Sequence, residues 1–255
     1  MGCVAVIPAR YASTRLPGKP LRDLCGKPLI QRVYERVSQA EVFSEVLVAT
    51  DSPEIYRCVL GFGGRAVMTD PGHRSGTDRV AEVARGLDAA IVVNVQGDEP
   101  FIRPEMLESL SRSFLKEERA VVGTLRCPVR DEREMTDPNV VKVVIDEAGY
   151  ALYFSRSPIP HRRGAGAVSV DGAKCLCYKH VGIYAYRRDF LLQFPGLRVT
   201  SLEEAESLEQ LRVLGHGFQI RVYTTEWETW GIDTEEDLER ARRIWTNGEG
   251  FPAAR

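Results

Sequence analysis

The stretch Cys3-Val-Ala-Val-Ile-Pro-Ala-Arg-Tyr-Ala-Ser-Thr-Arg-Leu-Pro-Gly-Lys-Pro-Leu21 carries two signals back to back. Val4 to Ile7 is a short apolar run of the kind that forms a fully buried strand. Pro8 has no N–H to donate, so the ladder is expected to stop there. A loop of small residues follows, Ala9, Ala12, Ser13, Thr14 and Gly18, interrupted by Arg10, Arg15 and Lys19. Small side chains let backbone N–H groups approach a ligand, and the three cations can neutralise a polyanion. From Arg10 to Arg32 there are six basic residues against one acid, Asp23, in a chain of net charge −2. That local excess reads as an anion trap at the carboxyl end of a strand, where open α/β sheets bind ligands.

Two common phosphate loops do not fit. A P-loop needs a glycine five residues before its Gly-Lys-Ser/Thr, yet Ser13 stands there and Gly18-Lys19 is followed by Pro20. A dinucleotide fingerprint needs three spaced glycines directly after the first strand, and only one is present. Gly61-Phe-Gly-Gly64 follows a helix-like segment and reads as a helix C-terminus.

Outward from the loop, strands and helices alternate. Apolar residues at 29, 30, 33, 34 and 37 give Leu29 to Ala40 a helical period. Val46 to Ala49 is a second buried strand, and Thr50-Asp-Ser-Pro-Glu54 starts a helix. Ala66 to Met68 is a third strand. His73 to Asp78 is read as a polar loop before a helix over Arg79 to Arg85. Ala90 to Val95 is the most β-branched run and is expected to be the central strand. The alternation predicts an α/β fold with a mostly parallel sheet flanked by helices. After about residue 120 strands dominate: Val121–Leu125, Val140–Ile145, Ala151–Phe154 and Val181–Tyr186, with Asp146 to Gly149 as a hairpin turn. Residues 162–172 read as a mobile loop. A helix is expected over Leu202–Leu214, a strand over Phe218–Tyr223 and a last helix over Glu235–Trp245. The expected organisation is one domain, with 1–120 and 187–255 as its core and 121–186 as a β-rich part.

The 255 residues can bury a sizeable core, and 44% hydrophobic with 27% charged residues is ordinary for a globular protein. Near-zero net charge argues against a nucleic-acid binder. No apolar run reaches the ~20 residues that span a bilayer, and no signal peptide precedes the first strand, so membrane insertion is not expected. The six cysteines are scattered, and Cys175-Leu-Cys177 lacks a second pair at zinc-site spacing, which points to reduced thiols.

Gln96-Gly97-Asp98-Glu99-Pro100 sits at the end of the expected central strand. A carboxylate there beside three cations makes a plain ion pair unless a ligand and a metal come between them. Mg²⁺ typically uses one or two carboxylates plus substrate phosphate oxygens. Asp233, after another extended stretch, is the candidate for the second carboxylate; the alternative is that it caps the helix starting at Glu235.

Taken together, Ile7 to Leu21, Ser75-Gly-Thr-Asp78, Asn94 to Pro100, Tyr153-Phe-Ser-Arg-Ser157, His180-Val-Gly-Ile-Tyr184, Leu208-Glu-Gln-Leu-Arg212 and Gly231-Ile-Asp-Thr234 resemble the motifs of the 3-deoxy-D-manno-octulosonate (Kdo) cytidylyltransferases. These blocks run in order through nearly the whole chain. The resemblance implies a glycosyltransferase-A-like nucleotidyltransferase fold and a cytoplasmic homodimer that uses CTP, Kdo and Mg²⁺ to supply lipopolysaccharide synthesis. By the same resemblance Arg10, Arg15 and Lys19 hold the CTP phosphates, and Arg74 and Ser75 define the cytidine pocket. Asp98 and Asp233 ligate Mg²⁺, with Lys19, Arg15, Asp98 and Asp233 as the catalytic set. Gln96, Arg156, His180, Tyr184, Glu209 and Gln210 surround the sugar acid, with Gln96 and Asp98 also near the nucleotide. His180 and Tyr184 share a strand face and have core packing as their alternative; Glu209 and Gln210 have a solvated helix face. The chain departs from the family after Pro160, where His161-Arg-Arg163 and a Gly-rich stretch stand, so a modified Kdo, such as an amino-substituted one, stays open as substrate. Another sugar cytidylyltransferase, such as one acting on sialic acid, and a non-catalytic nucleotide sensor are the competing readings.

Overall fold

The computed structural model describes residues 2–13, 15–161 and 177–247, and its chain divides into two compact units. The first comprises 1–115, 183–195 and 227–255; the second comprises 116–182 and 196–226.

In the first unit β1 (Gly2–Ala9) pairs in parallel with β2 (Phe43–Thr50) on one side and β4 (Ala89–Asn94) on the other. β2 also pairs in parallel with β3 (Ala66–Met68). Val4 to Ile7 are 0–3% exposed, because both neighbours and the covering helices bury a continuous apolar run. Pro8 does not end the ladder. On the β4 side pairing stops at Val6, but on the β2 side Pro8 and Ala9 stay in register with Ala49 and Thr50. The end of β8 (Tyr178–Arg187) lies antiparallel to β4, placing Tyr184 opposite Asn94.

Helices α1 (Leu29–Val37), α2 (Pro53–Gly61) and α3 (Gly76–Ala84) form the βαβ crossovers. α1 buries Leu29, Ile30, Val33 and Val37, the stripe that the spacing predicts. α2 is capped by Ser52, whose Oγ accepts from the Ile55 N–H, and Gly63 turns past its end with φ 81. α3 begins three residues earlier than expected. Ser75 is extended and its Oγ accepts from the Asp78 N–H at 3.1 Å, so Ser75-Gly-Thr-Asp78 is a capped first turn and not a loop. α4 (Pro104–Leu115), short α5 (Glu132–Thr136, in the second unit) and α6 (Arg188–Gln193) had no counterpart among the sequence expectations.

The second unit holds β5 (Val122–Pro128) parallel to β9 (Ile220–Thr224), and β6 (Lys142–Ile145) antiparallel to β7 (Ala151–Ser155). Asp146 and Gly149 close the expected hairpin, with Gly149 at φ 86. The start of β8 reaches β6 at Lys179 opposite Lys142. The helix expected over Leu202–Leu214 is two helices, α7 (Ser201–Glu206) and α8 (Gln210–Gly215). Ser207 breaks them apart with φ 51 and ψ 48, and no glycine or proline announces the break. The chain ends its described part in α9 (Glu235–Thr246), in the first unit. Residues 162–172, read as a loop, lie outside the described residues.

Five of the six cysteines are described and none is paired; burial pushes up the thiols of Cys3 and Cys58, which keeps them protonated and inert. Cys175 lies outside the described residues. No helix among the described residues is long and apolar enough to cross a membrane.

Candidate active site

At the carboxyl ends of β1 and β4, a pocket of the first unit is lined by Arg10, Ser13, Arg15, Lys19, Arg74, Ser75, Gln96, Asp98 and Asp233. Three turns bring them there. The loop after β1 closes on itself through Gly18, whose φ of 65 starts a 3₁₀ turn at Lys19–Leu21 and turns Lys19 inward. The turn after β4 passes so close to β1 that a Cβ on Gly97 would stand 2.8 Å from the Pro8 carbonyl oxygen. Only glycine fits, and Asp98 is thereby set beside Lys19. The third turn precedes α9.

Lys19 is the hub. Its Nζ donates to Asp98 Oδ2 at 2.5 Å and to Asp233 Oδ1 at 3.0 Å, while Arg15 donates to Asp233 Oδ2 at 3.0 Å. Burial works against the Lys19 ammonium, but Asp98 and Asp233 outweigh it and its pKa is raised. For Asp233 burial is again the largest influence and again loses, here to Lys19 and Arg15, which hold the carboxyl below its usual range. Asp233 is not the cap of α9. That role belongs to Thr234, which forms a capping box with Asp237 and leaves the Asp233 carboxylate to the pocket.

Arg10 and Arg74 are exposed along the pocket and have no ion-pair partner among the described residues. Gln96 donates to Asn94 Oδ1 at 3.4 Å. The two pocket serines are committed elsewhere, Ser13 accepting from the Leu16 N–H and Ser75 capping α3. Two lining residues escaped sequence reasoning. His73 faces Glu82, and Arg79 is buried, spanning Thr69 and Asp51. The helix period counted from Ser75 would have placed Arg79 one turn behind the cap.

Tyr184, also in the first unit, packs on Tyr186 with ring centroids 5.9 Å apart. The remaining candidates for the sugar acid, Arg156, His180, Glu209 and Gln210, belong to the second unit. Arg156 commits three of its five N–H groups to the carbonyls of Pro138, Glu206 and Ser207. His180 packs edge-on against Phe154 and meets Thr124 Oγ1 at 2.9 Å. The Thr124 hydroxyl donates to the Val181 carbonyl, so Nε2 of His180 carries the hydrogen. Burial pushes this imidazole down to about 3. Glu209 is half-buried at the start of α8 and Gln210 is buried, so a solvated face does not describe the pair.

No group of three or more His, Cys, Asp or Glu arranged to hold a metal occurs among the described residues. What the pocket offers is two carboxylates converging on one cation. Hard oxygen donors in that number fit Mg²⁺ in the form that binds with a nucleotide, where phosphate oxygens complete the shell.

A mostly parallel sheet with cations and two carboxylates at its carboxyl edge is a site suited to a metal-bound nucleoside triphosphate, and the relatives of the chain place it in the nucleotidyltransferase class. A cytidylyltransferase family model matches residues 4–221, and the chain belongs to that family. It is 53% identical over 244 residues to the 3-deoxy-manno-octulosonate cytidylyltransferase of Geotalea uraniireducens (strain Rf4), covering 94% of this chain and 97% of that one. The enzyme of the same name from Trichlorobacter lovleyi is 50% identical over 252 residues, covering 97% and 100%. Among solved structures, CMP:2-keto-3-deoxy-manno-octonic acid synthetase complexed with CTP superposes with a TM-score of 0.91 at 46% identity, over 97% of this chain and 100% of that one. A glucose-1-phosphate thymidylyltransferase from Bacillus anthracis, at 16% identity and a TM-score of 0.64, shares the fold. The nucleotidyltransferase fold expected from the motifs is the fold found.

Proposed function

We propose that the protein transfers the cytidylyl group of CTP to 3-deoxy-manno-octulosonate, releasing pyrophosphate. The observation that carries this reading is the meeting of Arg15, Lys19, Asp98 and Asp233 in a pocket also lined by Arg10, Arg74 and Ser75, in a chain 53% identical to an enzyme of that name. Displacement at the α-phosphorus needs in-line alignment and charge neutralisation more than a covalent catalyst. Neither pocket serine gives its hydroxyl to a base among the described residues, each only accepting from a backbone N–H, which supports direct attack by the C2 hydroxyl of the sugar. The O–P bond then forms as the bond to pyrophosphate breaks, the hydroxyl proton passing to water and the electron pair leaving with pyrophosphate.

Arg10, Arg15 and Lys19 would take the phosphate oxygens, and Arg74 and Ser75 would border the nucleoside. Asp98 and Asp233 would hold Mg²⁺, which when bound polarises a phosphoryl oxygen and acidifies a hydroxyl near it. Gln96, Arg156, His180, Tyr184, Glu209 and Gln210 would contact the sugar acid. Two N–H groups of Arg156 remain for a carboxylate beyond its three carbonyl bonds. His180 would serve as a neutral hydrogen-bonding group. On this reading the chain acts as one catalytic domain, a cytoplasmic homodimer that supplies lipopolysaccharide synthesis.

The deciding experiment is a pyrophosphate-release assay with CTP, Mg²⁺ and Kdo. Release that depends on all three is expected. Release with an amino-substituted Kdo or with sialic acid but none with Kdo would replace the substrate, and none with any sugar acid would sink the enzymatic reading. Arg156→Lys should raise KM for the sugar acid and leave KM for CTP unchanged; equal changes in both would remove Arg156 from the sugar site.

A further inference from the structure

Asp98 and Asp233 lie 135 positions apart in sequence, yet their carboxylates must keep one separation to share a cation. The structure shows a dedicated fastening between the two turns that carry them. Ile232 N–H donates to the Asp98 carbonyl at 2.9 Å, and a Cβ on Gly231 would lie 3.6 Å from the Asp98 carboxyl carbon. One residue further out, Thr229 Oγ1 donates to Glu99 Oε2 at 3.0 Å. Beyond that, Trp230 stacks on buried Phe101 with centroids 4.8 Å apart and ring planes 28° apart. Phe101 meets a second indole, that of Trp245 in α9, at 5.8 Å. Two outer cations close the stack, Arg240 over Trp230 at 4.8 Å and Arg32 over Trp245 at 4.5 Å. Phe101 follows Asp98 by three residues, and Trp230 precedes Asp233 by three.

Aromatic stacks of this kind resist sliding, since ring offset and tilt set the favourable contact. The main-chain bond at Ile232 alone leaves the 227–233 turn a hinge. The Thr229–Glu99 bond and the Trp230–Phe101 stack, neither of which lines the pocket, remove that freedom. We infer that Trp230 and Thr229 are positioning residues that fix the separation of Asp98 and Asp233, so that the pair meets a metal–nucleotide ready-spaced. The inference rests on the reading of this pair as the metal-binding carboxylates.

The test is the coupling between metal and nucleotide, read by calorimetric titration of CTP with and without Mg²⁺ and with no sugar acid present. In the wild type, Mg²⁺ tightens CTP binding through the two carboxylates. In Trp230→Ala the tightening should shrink about 10-fold, a coupling loss near 1.4 kcal/mol. Affinity for CTP alone should stay within about 2-fold, because the phosphate cations are untouched. Trp230→Phe should restore the coupling. Thr229→Val, nearly isosteric, should lower it by a smaller factor and covers the case in which Trp230→Ala does not fold. Full coupling in Trp230→Ala or Thr229→Val, beside a lowered Tm, would overturn the inference and leave the stack as packing only. Asp98→Asn separates the two layers. If it keeps full coupling, the metal reading fails and the inference fails with it. If it abolishes coupling while Trp230→Ala and Thr229→Val do not, the positioning role alone is overturned.

Discussion

The Lys19 cluster of the first unit and the Lys142 cluster of the second treat charge in opposite ways. In the first, side-chain charges answer one another: Lys19 holds Asp98 and Asp233, and Arg15 holds Asp233. These partners are exchangeable, since phosphate oxygens can replace carboxylates around a cation without leaving anything buried unpaired. In the second, Lys142 and Arg156 are tied to the backbone. Lys142 is fully buried in β6, and its ammonium donates to the carbonyls of Asp137, Val140 and Arg156 at 2.9, 2.6 and 2.6 Å. Arg156 in turn binds three carbonyls. A carbonyl in that setting has no other partner to take, so these cations serve structure first. The lesson is that a basic residue announces ligand binding when its partners are side chains that a ligand can displace.

The sharpest way to break this contrast is at the carboxylates. Asp98→Asn or Asp233→Asn should lower kcat by about 10²–10³-fold or more with Tm nearly unchanged. Near wild-type turnover of Asp233→Asn at saturating Mg²⁺ would mean that the first unit, too, uses its charges for structure. The converse change is Lys142→Met. It leaves three half-buried carbonyls without their donor and should cost about 2–3 kcal/mol of stability, seen as a fall in Tm, while CTP affinity stays put. A variant melting with the wild type would show that water replaces the ammonium.

A third test acts on the phosphate cations. Lys19→Ala and Arg15→Ala should each weaken CTP binding by about 1.5–3 kcal/mol, the value of a charged hydrogen bond. Lys19→Ala should be the worse of the two, because it also leaves Asp98 and Asp233 facing the phosphates. Unchanged affinity in both would count decisively against the phosphate assignment.

The smallest step, at most ~1.4 kcal/mol for each pH unit, concerns the protonation of His180. The His180 imidazole sits at about 3 in the fold because burial disfavours its charged form, against about 6.5 in the unfolded chain. Below pH 6.5 the unfolded chain takes up a proton that the native one refuses. Its stabilising contribution is therefore complete above 6.5 and declines as pH falls toward 3, by up to ~1.4 kcal/mol per pH unit. His180→Gln should flatten that part of the stability profile. An unaltered slope would show that the ring is hydrated in solution.

Local chemistry was legible in the sequence, and long-range assembly only partly. The Val4–Ile7 strand, the cationic loop and Asp98 could be read because each signal lies within a few residues of its neighbours. Asp233 stood between two roles until Thr234 was seen to cap α9, since Asp and Thr are both good caps and adjacent positions compete. The break at Ser207 was invisible because serine rarely takes a left-handed conformation and the apolar spacing runs straight through it. Arg156 carries the same ambiguity in reverse. Its sequence neighbourhood shows a cation, and nothing local reveals that Pro138, Glu206 and Ser207 already claim most of it.

The Lys19 hub has a kinetic consequence. Arg15, Lys19, Asp98 and Asp233 sum to zero charge, so beyond a Debye length of about 8 Å at physiological salt their fields cancel. On the proposed reading, an approaching triphosphate would be steered by the exposed guanidiniums of Arg10 and Arg74, which have no ion-pair partner among the described residues, and the hub would become attractive only once its carboxylates turn to another cation. Association rates should therefore depend on ionic strength as for a doubly charged mouth, with Arg10 and Arg74 setting the slope and Lys19 setting how long the ligand stays.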